Sequence, residues 1–170
     1  MSHATRFLVL FSVALLVACC RAPEPKVDLQ AEENKAIVRE FFAAIDEGNL
    51  DRVKELVADD FALNAPGLPE PWGADMLFQA IKTHYASFPD WRHVIEDIIA
   101  EGDKVAVKLT QYGTHKAEYD GILATGNKVI MPAMHLIRIV DGKIKEWWAI
   151  EDNLGLMQQL GMELKPKEAK

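Results

Sequence analysis

Apolar residues recur at three- and four-residue spacing through the first half of the chain and at every second position through much of the second. Ala36, Ile37, Phe41, Ala44 and Ile45 fall on one helical face, and Gly48 is placed to end that helix. Asn49 is placed to cap a second helix that carries Leu50, Val53, Leu56 and Val57 inward, and "DDFAL" after it reads as a short extended segment. The prolines and glycines of "NAPGLPEPWG" (64–73) make a loop, after which Leu77, Phe78, Ile81 and Tyr85 mark a third helix. Four runs rich in β-branched and aromatic residues follow, at 91–101, 104–116, 128–140 and 143–151, with "EGDK" and "VDGK" as hairpin signals between them. Helices followed by an antiparallel meander define an α+β layout, and a curved sheet wrapped over helices leaves a central pocket. Pro132 inside the third run removes a ladder donor, which predicts an edge or a bulge there.

Strand alternation then assigns faces. In 104–115 the odd residues Val105, Val107 and Leu109 are apolar and point inward, taking Gln111 and His115 with them. In the last strand Lys143, Lys145 and Glu151 share one face, and Ile144, Trp148 and Ile150 the other. Alternation continued past Ile150 puts Asp152 at the cavity end of that strand and Glu151 in water, although Glu146 interrupts the inner face. Asp152 or Asn153 is also suited to cap a terminal helix of Leu154, Met157 and Leu160, so cap and cavity roles both stand. His135 lies in a run apolar on both faces.

Composition narrows the partners. With 170 residues and a net charge of −7, and with no block of Lys or Arg, the chain lacks the basic face that nucleic acid requires. Arg6, the apolar run 7–17 and "LVAC" (16–19) read as an export signal, since the run is shorter than the ~20 residues that span a bilayer. A small residue before the cysteine resembles the bacterial lipoprotein signal, which makes 1–18 the signal peptide and Cys19 the lipidated residue. Residues 19–29, including "RAPEPKVD", form an anchor and tether, and 30–165 form the domain. These features predict an exported lipoprotein of the cell envelope, on the periplasmic or extracellular side, with a membrane partner only through its anchor.

Chemical motifs are few. No Cys, His and acid spacing matches a metal site, and there is no phosphate loop or nucleophile elbow, so a cofactor-free, metal-free site is expected. His84 and His93 have no partners at ligand spacing, and Trp147 and Trp148 alternate to opposite sides.

The segments "DWRHVIEDIIAEGDKVAVKLTQYGTH", "GNKVIMPAMHLIRIVDGKIKEWW" and "EDNLGLMQQLG" resemble the SnoaL-like polyketide cyclases (ester cyclases) of the nuclear-transport-factor-2-like superfamily. The resemblance implies a conical α+β barrel, often dimeric, with a deep apolar pocket. It also implies an Asp general base matching Asp152, together with a pocket histidine matching His135, or else His115 of the GTH motif. Ala117 stands where the family has Gly. Gln111, His115, Trp148 and Ile150 are the expected substrate-binding residues, for a small apolar carbonyl-containing ligand. The chemistry implied is enolisation followed by intramolecular aldol closure, which needs a base, a donor for the enolate oxygen and a folding cavity. A non-catalytic carrier or sensor on the same fold, or a module with a filled core, is the alternative. With His135 inward, Ile130, Met134 and Leu136 face outward beside Trp147 and Tyr112, which predicts a homodimer.

If Cys19 carries lipid, Cys19→Ser will release the protein from membranes into the soluble fraction. A wild-type chain that takes up no fatty-acid analogue on metabolic labelling would refute the anchor.

Overall fold

The computed structural model describes residues 28–166, so the signal, Cys19 and most of the tether lie outside the described residues. Helix α1 (Leu29–Asp46) starts at Asp28, whose side chain accepts the Ala31 N–H, and is followed by α2 (Leu50–Leu56), capped by Asn49. Strand β1 (Val57–Asn64) leads through the proline-rich loop to α3 (Ala74–Ser87). Strands β2 (Arg92–Glu101), β3 (Lys104–Thr114), β4 (Lys128–Val140) and β5 (Lys143–Glu151) complete the sheet, and α4 (Asn153–Gln159) closes the domain.

The sheet order is β1-β5-β4-β3-β2. Strands β2 to β5 form the expected meander, whereas β1 joins the far edge parallel to β5, a pairing for which the short segment "DDFAL" carries no sequence signal. Asp141 and Gly142 both take positive φ at the β4–β5 hairpin, as a two-residue turn matched to strand twist requires.

The helical stripe of α1 is rotated from the expected one. Ala36 is exposed, and Val38, Phe41, Phe42 and Ile45 enter the core, where they meet Val53, Val105, Val107, Ile137, Ile144 and Trp147. Asn34 is buried on the same stripe because its amide donates to the Gly102 carbonyl at 2.9 Å, tying α1 to the β2–β3 turn.

Two one-residue register shifts curve the sheet, at Glu96 in β2 and at Lys145 in β5. In β5, Ile139 pairs with Ile144 but Arg138 pairs with Glu146, so Lys145 is the extra residue. The inward set is therefore Ile144, Trp147, Ala149 and Glu151, and the outward set includes Trp148 and Ile150. This reverses the simple alternation beyond Lys145. Pro132 lies in a central strand at a regular pair with Thr110, not at an edge or bulge. Its carbonyl accepts the Asp152 N–H at 3.1 Å, so its missing donor faces the point where β5 ends and costs the ladder little.

The convex face of the sheet carries exposed Ile130, Met134, Leu136, Trp148 and Ile150, with Leu136 opposite Trp148 and Met134 opposite Ile150. Trp148 takes the outward place expected for Trp147, which is buried. We propose that a second copy covers this patch, since monomers seldom leave a contiguous one so large. Light scattering should then give a dimer for the mature protein and a monomer for Met134→Asp. A monomeric wild type at micromolar concentration, with Trp148 quenched by iodide, would contradict this.

Candidate active site

Between α3 and the concave face of the sheet lies a cavity of about 500 Å³, within the size range of small-molecule sites. Leu63, Leu68, Trp72, Leu77 and Ile81 give it an apolar wall, and His84, Tyr85, Trp91, His93, Gln111 and Glu151 supply polar atoms. Leu77 is buried in the core, whereas Phe78, Ile81 and Tyr85 of α3 are only partly buried.

A chain of hydrogen bonds crosses the sheet toward Glu151. Trp91 Nε1 donates to Gln111 Oε1 at 3.1 Å, and Gln111 Nε2 donates to Glu151 Oε1 at 3.2 Å. The Trp91 ring approaches because Gly113 has no side chain, and a Cβ there would run into it. Behind Glu151, Trp147 Nε1 donates to His135 Nδ1. Indole nitrogen can only donate, so the neutral His135 carries its hydrogen on Nε2, 3.9 Å from Glu151 Oε1.

Burial raises the Glu151 pKa, against the opposing Gln111 hydrogen bond and the charge of nearby His93. Glu151 keeps 26% of its side-chain surface, so it is desolvated without being sealed from a ligand. Burial pushes His135 down to about 3, and the His93 charge adds to that. His84 is likewise lowered to about 4 by burial. Its ring stacks on Phe88 and meets Trp91 edge-on, leaving Nε2 without a partner.

Several expected site residues stand elsewhere. Asp152 is exposed and caps α4, accepting the Gly155 N–H at 2.8 Å, and a Cβ on Gly155 would strike its carboxylate. The β5 bulge shifts the phase by one residue, so Glu151 occupies the inward place expected for Asp152. Trp148 and Ile150 line no part of this cavity; they face a groove beneath the loop 64–71. His115 is fully buried but sits in a second small core, stacked on Phe88, with its Nδ1 accepting from the Thr125 N–H at 3.3 Å. Gln111 lines the cavity, and His135 lies directly behind it among Phe42 and Trp147. His84 and His93, which spacing alone did not single out, both line it. Among the described residues no cluster of three or more His, Cys, Asp or Glu is arranged to hold a metal ion.

Four helices on a five-stranded curved open sheet, closing over one mixed apolar and polar cavity, define the cone-shaped α+β proteins of the nuclear-transport-factor-2-like class. The chain belongs to the SnoaL-like polyketide cyclase family, whose model matches residues 36–160. It is 34% identical over 141 residues to the aklanonic acid methyl ester cyclase DauD of Streptomyces sp. (strain C5), covering 81% of this chain and 82% of that one. Over 129 residues it is 35% identical to the aklanonic acid methyl ester cyclase DnrD of Streptomyces peucetius, covering 74% and 88%. Among solved structures, IdmH of Streptomyces antibioticus, a candidate polyketide cyclase, superposes with a TM-score of 0.70 at 29% identity, covering 76% and 99%. AclR of Streptomyces galilaeus, a candidate hydroxylase, superposes with a TM-score of 0.71 at 27% identity, covering 77% and 97%.

The buried histidines set a pH dependence. Their folded pKa values lie below the ordinary 6.5, so between pH 6.5 and about 4 the unfolded chain binds protons that the folded one excludes. Stability is therefore full above pH 6.5 and falls below it, by about 1.4 kcal/mol per pH unit for each histidine. Glu151, raised, acts in the opposite sense and gains stability as pH falls through its folded pKa. Urea unfolding at pH 7 and pH 5 should show the net loss, and His135→Gln should remove about one proton from the slope. An unchanged slope in that variant would mean that His135 is solvated or charged in the native state.

Proposed function

We propose that this SnoaL-like domain catalyses cofactor-free enolisation and intramolecular aldol cyclisation of an apolar carbonyl substrate, with Glu151 as general base. The supporting observation is a carboxylate that lines an apolar cavity and is oriented by Gln111. Desolvation raises its pKa and so its basicity toward a carbon acid, the principle by which carboxylates serve as bases in enolising enzymes. The names of DauD and DnrD, ester cyclases, favour a substrate carrying an ester beside the acidic carbon. His135 supports the base from behind, its Nε2 directed at Glu151. Asp152 has the separate task of starting α4.

We further propose that the domain works outside the cytoplasm on a lipid anchor at Cys19, a reading supported only by the sequence of residues 1–28. On that reading the substrate is one met in the cell envelope, and polyketides closed during cytoplasmic synthesis are the less suitable class.

The test is turnover of aklanonic acid methyl ester and of simpler β-keto esters. Glu151→Gln should lower turnover by about 10²–10⁴. Asp152→Ala should cost ~1 kcal/mol of stability through loss of the cap and leave turnover unchanged. If Asp152→Asn abolishes turnover while Glu151→Gln does not, the base is Asp152. If the ligands bind without reacting, the cavity belongs to a carrier.

A further inference from the structure

Asp46 is the last residue of α1, where the final carbonyls of the helix disfavour negative charge. Three donors compensate: the backbone N–H of His93 at 2.9 Å, the Tyr85 hydroxyl at 3.0 Å and ring Nδ1 of His93 at 2.6 Å. One residue thus binds both carboxylate oxygens, its main chain to Oδ2 and its ring to Oδ1. An ionised carboxylate only accepts, so Nδ1 carries the hydrogen and Nε2 is the ring nitrogen left over. No hydrogen bond to a described residue occupies it, and His93 lines the cavity. Phe42 lies 4.9 Å from the ring and fixes its plane. His93 pairs across the sheet with Gln111, the residue bonded to Glu151, so the free nitrogen and the buried carboxylate face the cavity from strands of one concave surface.

We propose that His93, oriented by Asp46 and Tyr85, is the oxygen-binding residue of the cavity, and that the ligand is an apolar ring or chain bearing an enol, phenol or β-dicarbonyl oxygen. The imidazolium donates Nε2–H to that oxygen, while Leu63, Leu77 and Ile81 hold the apolar part. The proposal rests on the cavity being the ligand site and not on Glu151 being the base. In a ring closure the two groups are complementary. Glu151 takes the α-proton, the freed electron pair forms the new C–C bond, and the electrophilic carbonyl oxygen takes the Nε2 proton. Water then returns the Glu151 proton to Nε2, and no electron is gained or lost overall. Because Asp46 keeps the Nδ1 hydrogen in place throughout, proton traffic is confined to the nitrogen that faces the ligand. Asp46 and Tyr85 are positioning residues in this account.

The probe is 2-naphthol, an apolar ring with one acidic hydroxyl, bound to the full chain and followed by its fluorescence. His93→Gln, whose amide can still satisfy Asp46, should weaken binding about 10- to 100-fold, the range for losing a hydrogen bond from a charged donor. Asp51→Asn, exposed on α2 and outside the cavity, should change it less than threefold. Proton–nitrogen spectra of wild-type His93 should show the Nδ1–H tautomer when neutral and a shift at Nε2 on adding 2-naphthol, and Asp46→Asn should mix the tautomers. An Nε2–H tautomer in the wild type, no binding at millimolar 2-naphthol, or unaltered affinity in His93→Gln would each overturn the proposal. Wild-type protein that binds 2-naphthol through His93 but leaves the α-hydrogens of a β-keto ester unexchanged in D₂O would sink the base assignment of Glu151 and leave this one standing.

Discussion

A single extra residue in β5 determines what the cavity contains. With Lys145 bulged out, Ile144 and Trp147 are both inward although three positions apart, and every residue after them changes face. The bulge is held from the convex side. Arg138 donates to Asp103 at 2.6 Å and to Glu146 at 2.8 Å, and Lys145 reaches Asp60 at 2.7 Å on β1. Each of these exposed pairs is worth little singly. Their effect is on register: they keep two charged residues side by side on the outer surface, and the remainder of β5 must then send Trp147, Ala149 and Glu151 to the core. Without the bulge, Trp148 and Ile150 would fill the cavity, and Asp152 in place of Glu151 would be in phase with it.

Polar groups admitted to so apolar a cone must find partners, and nearly all of them do. The Trp91, Gln111 and Glu151 chain uses an amide to pass from an indole donor to a carboxylate acceptor. Trp147 and His135 form a second pair, and Asp46, Tyr85 and His93 a third. Satisfied networks of this kind rigidify a site, because each member is costly to leave unpaired at low local dielectric. Among the described residues, the fully buried ring nitrogens without partners are Nε2 of His84, His115 and His135. For His135 the orphan Nε2 is aimed at Glu151, which supports a neutral imidazole beside the carboxylate.

Much of the fold was legible from spacing. The helices, the hairpin turns and the inward set Val105, Val107, Leu109 and Gln111 follow from local turn signals and periods of 3.6 and 2, and β3 pairs with β4 in one register from end to end. The faces of β5 were misassigned where its register breaks. The adjacent Lys145 and Glu146, between the apolar Ile144 and Trp147, are the local sign of an inserted residue, and reading them as a bulge would have exchanged Glu151 for Asp152 at the cavity. Asp152 was ambiguous for a physical reason: a short acid before an apolar helix fits a cap regardless of what the strand before it does. His93 was illegible because its partner Asp46 is 47 residues away, on another element. Parallel pairing of β1 with β5 is equally long-range, and nothing local to either strand encodes it.

The direct measurement of the central claim is the carboxyl titration of Glu151 in the unliganded protein, read by carbon-13 NMR and assigned by loss of the signal in Glu151→Gln. A midpoint above the ordinary 4.5 is the result expected for a carboxylate turned into the cavity by the β5 bulge. A midpoint at or below 4.5 would place Glu151 in water, and both the register of β5 and the base assignment would be wrong.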